Sequence, residues 1–97
     1  MKIGVVAVDS GQLLVCDPGY LKTERQLANA NELDQKEREA LESKTQSAQL
    51  TFNTGNEGLG VIFHSGVGDG RYDVYATFKD FPGAGRRIQK VEIIFLD

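Results

Sequence analysis

The single histidine of this 97-residue chain is its strongest candidate for acid–base chemistry. His64 directly precedes a glycine-rich segment, and Asp69 and Asp73 follow within reach across it. A histidine that acts as a general acid or base needs an oriented partner, such as a carboxylate. A histidine that binds a metal needs two or three further donors, which Asp or Glu would have to supply. The competing interpretation, which we favour, is a half-exposed histidine at the end of a strand.

Two aspartates also stand where ligands could bind, because each follows an apolar segment and lies within two residues of a glycine. Asp9 and Asp17 would lie at opposite ends of a hairpin if their strands pair, whereas strands in different sheets would allow one shared site. Asx-turn hydrogen bonding explains both aspartates without a ligand. Neither segment has EF-hand spacing, so the sequence predicts no metal site. Ser10 lies outside a G-x-S-x-G elbow and is therefore a poor candidate nucleophile.

The glycine-rich segment 66–70 reads GVGDG and resembles a phosphate-binding loop only superficially. Its spacing is G-x-G-x-G rather than G-x-G-x-x-G, and a strand pattern follows it where a dinucleotide site requires a helix. The backbone amides of such a loop could still form an anion-binding nest. The sequence favours a plain hairpin loop and predicts no cofactor.

Composition narrows the classes of partner. The formal net charge is −3, and the only basic cluster is formed by Arg86, Arg87 and Lys90, so no nucleic-acid partner is expected. The single cysteine, Cys16, excludes an intrachain disulfide and a cysteine-built metal site, and its apolar neighbours favour a buried thiol. No apolar run approaches the roughly 20 residues of a membrane span. We therefore expect no membrane partner and a reducing, cytoplasmic setting.

Hydrophobic periodicity predicts the elements that position these residues. Alternating or continuous apolar patterns indicate strands at 2–8, 12–16, 48–52, 59–64, 71–79 and 87–96. The charged segment between the second and third strands predicts a helix over 32–44, with Asn31 as its cap and a Glu32–Lys36 pair on its surface.

The predicted fold is a mostly β, α+β domain spanning residues 1–97. It has about six antiparallel strands in a small sandwich or partly closed barrel, with one helix inserted between strands 2 and 3. The short turns predict that the first two strands form a hairpin and that the last three form a meander.

Three segments together resemble a family of small uncharacterised bacterial and phage proteins. Residues 8–12 read VDSGQ, residues 17–20 read DPGY, and residues 65–76 read SGVGDGRYDVYA. The resemblance covers both ends of the chain and skips the helical insert. Gly19 stands where many relatives have a cysteine, so no role of that cysteine carries over. The family has no assigned activity, and the resemblance draws attention, without a role, to Asp9, Asp17, Tyr20, Asp69 and Tyr72.

These observations favour a small intracellular binding or interaction module without catalytic activity. We expect it to bind an unidentified protein, or a second copy of itself, through an exposed strand edge. The alternative is a small hydrolase, or a ligand- or divalent-metal-binding protein, that uses Asp9, Asp17, His64 and Asp69. No catalytic residue is predicted, and the candidate ligand-binding residues are Asp9, Ser10, Asp17, Tyr20, His64, Asp69 and Tyr72.

Overall fold

Two three-stranded antiparallel sheets and one long helix build the protein. The computed structural model describes the backbone of residues 1–21 and 23–96, and the side chains of residues 1–21 and 32–96. In chain order the elements are β1 (Lys2–Val8), β2 (Gln12–Cys16), a 3-10 turn (Pro18–Leu21), α1 (Thr23–Glu42), β3 (Ser47–Leu50), β4 (Gly60–His64), β5 (Gly70–Phe81) and β6 (Gly85–Ile93).

One sheet, the β5 sheet, has the strand order β1-β5-β6, and the other, the β4 sheet, has the order β2-β4-β3. The mostly β, α+β fold class with the helix between the second and third strands is confirmed. The described strands do not close into a barrel.

One antiparallel ribbon runs through both sheets. β1 pairs with β5 as far as Val8 opposite Gly70, and β2 pairs with β4 from Gln12 opposite His64. The same two stretches of chain are therefore neighbours in each sheet, and both pass from one sheet to the other at residues 9–11 and 65–69. Strands that change sheets through bends make the corners of packed sheets. We call these two segments the corner.

The predicted hairpin of β1 with β2 and the predicted meander of β4, β5 and β6 are wrong for the same reason. Both placed strands joined by a short turn side by side, but residues 9–11 and 65–69 lead each strand into the other sheet. Among the strands that a short turn joins, only β5 and β6 pair with each other. Glycine supplies the positive φ values needed in a tight reversal and in a corner alike, so the local sequence does not distinguish them.

The helix α1 starts at Thr23, well before the predicted residue 32, so Asn31 lies inside the helix instead of capping it. Residues 22–47 contain neither glycine nor proline, and nothing in that stretch interrupts a helix. The predicted surface pair of Glu32 with Lys36 is also wrong. Glu32 is only 8% exposed, and Lys36 instead forms an ion pair with Glu39 at 3.1 Å.

The buried carboxylate of Glu32 fastens α1 to the segment that follows β3. It accepts hydrogen bonds from the backbone N–H groups of Thr51, of Phe52 at 3.0 Å and of Asn53 at 2.7 Å, and the Thr51 hydroxyl donates as well, at 3.1 Å. Phe52 and Asn53 have φ values of 49° and 62°. Such left-handed residues direct successive N–H groups toward one anion. The predicted third strand accordingly ends at Leu50, two residues early.

The main hydrophobic core lies between α1 and the β4 sheet. Its buried members are Ala40, Ala48, Leu50, Phe52 and Ile62. The Tyr20 ring stacks on the Phe52 ring with centroids 4.9 Å apart, so the 3-10 turn also closes over this core.

In the β5 sheet, Val8 and Tyr72 are buried near the corner, and Ala76 is buried farther along β5. The Phe95 ring meets the Tyr72 ring edge-on at 5.1 Å and lies 6.1 Å from the ring of Phe63 in β4. The segment after β6 thus contacts both sheets.

Gly66 occupies a position in the corner where a side chain does not fit. Its φ is 72°, and a Cβ at this position would lie 2.6 Å from the Cβ of Phe95. Any larger residue would both strain the backbone and push the C-terminal segment away from the corner.

We predict that Gly66→Ala lowers the free energy of unfolding by about 2–5 kcal/mol, because left-handed strain and steric overlap add. Gly55→Ala is the matched control, since Gly55 has a φ of 82° but open space around its Cβ position. That variant should incur only the backbone strain, which lowers its free energy of unfolding by about 1–2 kcal/mol. Urea unfolding measures both, and equal losses in the two variants would contradict the overlap with Phe95.

A second prediction concerns acid stability. Burial acts to raise the pKa of Glu32, but the hydrogen bonds from Thr51, Asn53 and Phe52 outweigh it, and the pKa lies below its ordinary value of 4.5. A folded-state pKa below the unfolded one stabilises the protein fully above the unfolded value, and this stabilisation is lost as the pH falls through the folded value.

The variant Glu32→Gln should lower the free energy of unfolding at neutral pH by about 1–3 kcal/mol. It should also flatten the acidic limb of a plot of stability against pH. Glu42→Gln, which changes an exposed carboxylate on the same helix, serves as the control. An acidic limb of wild-type steepness in Glu32→Gln would show that this carboxylate does not carry the pH dependence.

Candidate functional site

Ser65 is fully buried at the corner and joins its two segments. Its backbone N–H donates to the carbonyl oxygen of Gly11 at 3.0 Å. Its hydroxyl lies 2.6 Å from the carbonyl oxygen of Gly68 and 3.1 Å from that of Gly11, and it donates its single proton to one of the two at a time. The Tyr72 hydroxyl donates to the same Gly68 oxygen at 2.7 Å. The VDSGQ and SGVGDG segments therefore meet through backbone groups, which Ser65 and Tyr72 satisfy.

His64 lies at the corner end of β4, opposite Gln12. Its backbone N–H donates to the carbonyl oxygen of Gln46 at 3.0 Å. The ring Nε2 is buried and has no hydrogen-bond partner among the described residues, so no carboxylate orients this nitrogen. An oriented partner is what a general acid or base requires.

Asp9 and Asp69 lie at the same end of the β1–β5 ladder, each one residue beyond its last pair, and both are exposed. The hydroxyl of Ser10, also exposed, donates to the Gln12 carbonyl oxygen at a long 3.4 Å. Within residues 1–21 and 32–96, no group of three or more His, Cys, Asp or Glu side chains is arranged to hold a metal ion. The corner thus brings exposed carboxylates near His64 without a ligand cluster.

Asp17 lies at the other end of β2, where Cys16 pairs with Gly60. At about 3.3 Å per residue, the length of β2 places it roughly 13 Å or more from the His64 end. Its carboxylate accepts a hydrogen bond from the Gly19 N–H at 2.8 Å, the Asx-turn arrangement that starts the 3-10 turn. The structure therefore groups Asp9, His64 and Asp69 near the corner and leaves Asp17 apart.

An open cleft of about 590 Å³ lies beside Asp17, between β2, β4 and the 3-10 turn. Cys16, Tyr20 and Leu59 are among its lining residues. Burial, and secondarily the Asp17 carboxylate, raise the pKa of the Cys16 thiol. A thiol of raised pKa stays protonated at neutral pH and is a weak nucleophile. The cleft consequently offers no activated thiol.

The far half of the β5–β6 hairpin is largely exposed to solvent. β1 pairs with β5 only as far as Tyr75, whereas β6 pairs with it to Phe81. We call residues 77–91 the arm. Beyond the end of β1, the arm is therefore a two-stranded ribbon.

The arm carries apolar side chains in contact with solvent. Phe81 is 64% exposed, and Ile88 and Val91 are each 53% exposed. The Arg86 guanidinium lies 4.0 Å from the centre of the Phe78 ring and covers part of that face. β6 is the last strand of its sheet, so its outer edge faces no other described strand.

The sequence interpretation missed both Ser65 and the arm. An alternating pattern in 87–96 does indicate apolar residues on a strand face, but it does not show whether another layer covers that face. Ser65 is visible only as a small polar residue at a strand end, and nothing local shows that it is buried.

Comparison with protein-family models, with curated proteins and with solved structures finds no match to this chain. Among the described residues, no helix has both the length and the apolar composition that a membrane span requires. The surface of the protein and the contacts of its side chains are therefore the basis for the function proposed below.

We predict that Ser65→Ala lowers the free energy of unfolding by about 1–2 kcal/mol, because it removes a buried donor. Tyr72→Phe removes the other donor to the Gly68 carbonyl. The double variant Ser65→Ala with Tyr72→Phe should lose more free energy of unfolding than the two single variants lose together. Ser10→Ala is the control and should stay within about 0.5 kcal/mol of wild type. Strict additivity in denaturant titrations would contradict the shared carbonyl.

Proposed function

We propose that this protein is a small intracellular binding module without catalytic activity, and that it binds its partner through the arm. The observation that carries the proposal is the combination of exposed apolar side chains with an open strand edge on the same hairpin. Exposed apolar patches on small proteins commonly mark interaction sites. An open edge offers backbone hydrogen bonds to an added strand, and alternate side chains supply specificity.

The roles of the motif residues support the same proposal. Asp17 caps a turn, and Tyr72 and Ser65 satisfy backbone carbonyls at the corner. The segments that resemble the small bacterial and phage family thus have structural roles. We propose that such relatives share this corner, and that their motifs specify a fold rather than a reaction.

The alternative, a small hydrolase or a ligand- or divalent-metal-binding protein, has less support. It requires Asp9, Asp17, His64 and Asp69 to act together. Asp17 lies at the opposite end of β2 from His64, and its carboxylate is already hydrogen-bonded within its own turn. General acid–base chemistry needs its groups within hydrogen-bond reach of one substrate.

Site-specific photo-crosslinking in the native cells tests the proposal. Ile88, on the arm, is replaced with the photoreactive amino acid p-benzoylphenylalanine. The matched control carries the same replacement at Leu41, an exposed apolar residue of α1 away from the arm. We expect a discrete covalent adduct, identified by mass spectrometry, from position 88 and none from position 41.

Irradiation that yields no adduct at position 88, or the same adducts at both positions, would contradict binding through the arm. Circular dichroism and thermal unfolding of both variants establish beforehand that each is folded. A discrete adduct at position 88 without one at position 41 supports the proposed function, whichever molecule is attached.

A further inference from the structure

The side chains of β6 identify one partner for the arm. We propose that two copies of this chain pair antiparallel along their β6 edges and join the two β5 sheets into one six-stranded sheet. This inference rests on the proposed function, because it uses the same arm. It adds the identity of the partner, a second copy, and the register of the contact.

The length of the free edge is the first argument. β6 spans nine residues, Gly85–Ile93, and ends its sheet. Proteins limit edge-to-edge pairing with short or covered edge strands, with proline, with charged side chains or with β-bulges. β6 is long, contains no proline and has no described strand on its outer side, and its bulge and charged residues take part in the pairing described below.

An irregularity in β6 is the second argument, because it brings two apolar residues onto one face. Ile88 pairs with Phe78 and Val91 pairs with Ala76, while one extra residue, Gln89, is inserted between these pairs. Residues three apart on a regular strand point to opposite faces. The bulge restores a common face, so Ile88 and Val91 both lie on the side of Phe78 and Ala76.

Two opposite charges occupy the other face in the same way. Arg87 pairs with Lys79 of β5, and Glu92 pairs with Tyr75. Both of these β5 residues lie on the face opposite to Phe78. Arg87 and Glu92 therefore share a face of β6, on either side of the bulge.

These positions make β6 complementary to itself. A two-fold axis between residues 89 and 90 sets Ile88 opposite Val91 of the second copy on one face. It sets Arg87 opposite Glu92 of the second copy on the other face. Each pair forms twice, and the two residues of each pair lie on the same face, as an isologous interface requires. Apolar and opposite-charge pairs are the cross-strand pairs that stabilise antiparallel strands.

The basic residues of β6 disfavour the register that lies closer to the hairpin tip. A shift of the pairing by two residues toward the hairpin tip would set Arg87 opposite Lys90 of the second copy, and like charges directly opposite are destabilising. Glu92 already forms an ion pair with Lys90 at 3.3 Å, but both side chains are at least half exposed. Such surface pairs contribute little, so Glu92 can exchange partners at low cost. A small strand-edge interface of this kind is expected to form reversibly.

Charge reversal and its rescue test the proposal. Sedimentation velocity is run on the full chain from low micromolar to near-millimolar concentration, and wild type should shift from monomer to dimer. Arg87→Glu places a glutamate opposite Glu92 of the second copy in both symmetry-related pairs. It should weaken association roughly tenfold. Glu92→Arg should do the same. The double variant Arg87→Glu with Glu92→Arg restores opposite charges across the two-fold axis and should recover most of the affinity.

Lys44→Glu is the matched control, because it makes the same charge change on an exposed residue outside the arm. It should dimerise as wild type does. Thermal unfolding checks that every variant is folded. Val91→Lys provides a second disruption, since it sets a lysine opposite Ile88 of the second copy, and it should abolish the dimer.

The outcomes separate the two proposals. A chain that stays monomeric at all concentrations, while position 88 is crosslinked to a different protein, overturns the dimer and supports the binding module. A dimer that Arg87→Glu and Val91→Lys leave intact uses another surface and overturns this interface. If the single variants weaken the dimer and the double variant does not restore its affinity, the proposed register is overturned. A monomer without any adduct at position 88 overturns both proposals.

Discussion

The buried hydroxyl of Ser65 is the contact on which the two-sheet arrangement depends. Two stretches of chain leave one sheet and enter the other at the same place, and each leaves backbone carbonyls without ladder partners there. Ser65 and Tyr72 supply donors to the carbonyls of Gly11 and Gly68. Partly buried carbonyls are less stable without donors, so these hydrogen bonds stabilise the passage of the ribbon from one sheet to the other. Gly66 then allows the C-terminal Phe95 to pack on the corner.

Glu32 plays the equivalent part at the other end of the β4 sheet. Its carboxylate collects the N–H groups of the turn after β3, and it does so from a helix that lies across the β4 sheet. Burial of a carboxylate is unfavourable unless several donors compensate for the lost water. The hydrophobic core lies beneath this contact. Polar contacts thus lie at the two ends of the β4 sheet, and apolar packing stabilises the part between them.

Burial is unevenly shared between the sheets, and this unevenness bears on function. The β4 sheet is covered by α1, whereas the β5 sheet extends into an arm whose apolar residues face solvent. Chemistry requires side chains to converge, and the candidate carboxylates and the histidine are divided between the corner and the far end of β2. Binding requires an accessible surface, and the arm offers one. This distribution is the basis of the binding function that we propose.

The sequence by itself determined the identities of the elements: six strands, one helix between the second and third, and turns at the glycines. Hydrophobic period and turn chemistry are local properties, so they can be read without the fold. The Asx turn at Asp17 was predictable for the same reason. Only the tertiary structure decided which strands pair, because a glycine-rich turn serves a hairpin and a corner equally well. It also decided that Ser65 and Glu32 are buried and that Ile88 and Val91 are uncovered, since burial depends on layers far away in the chain.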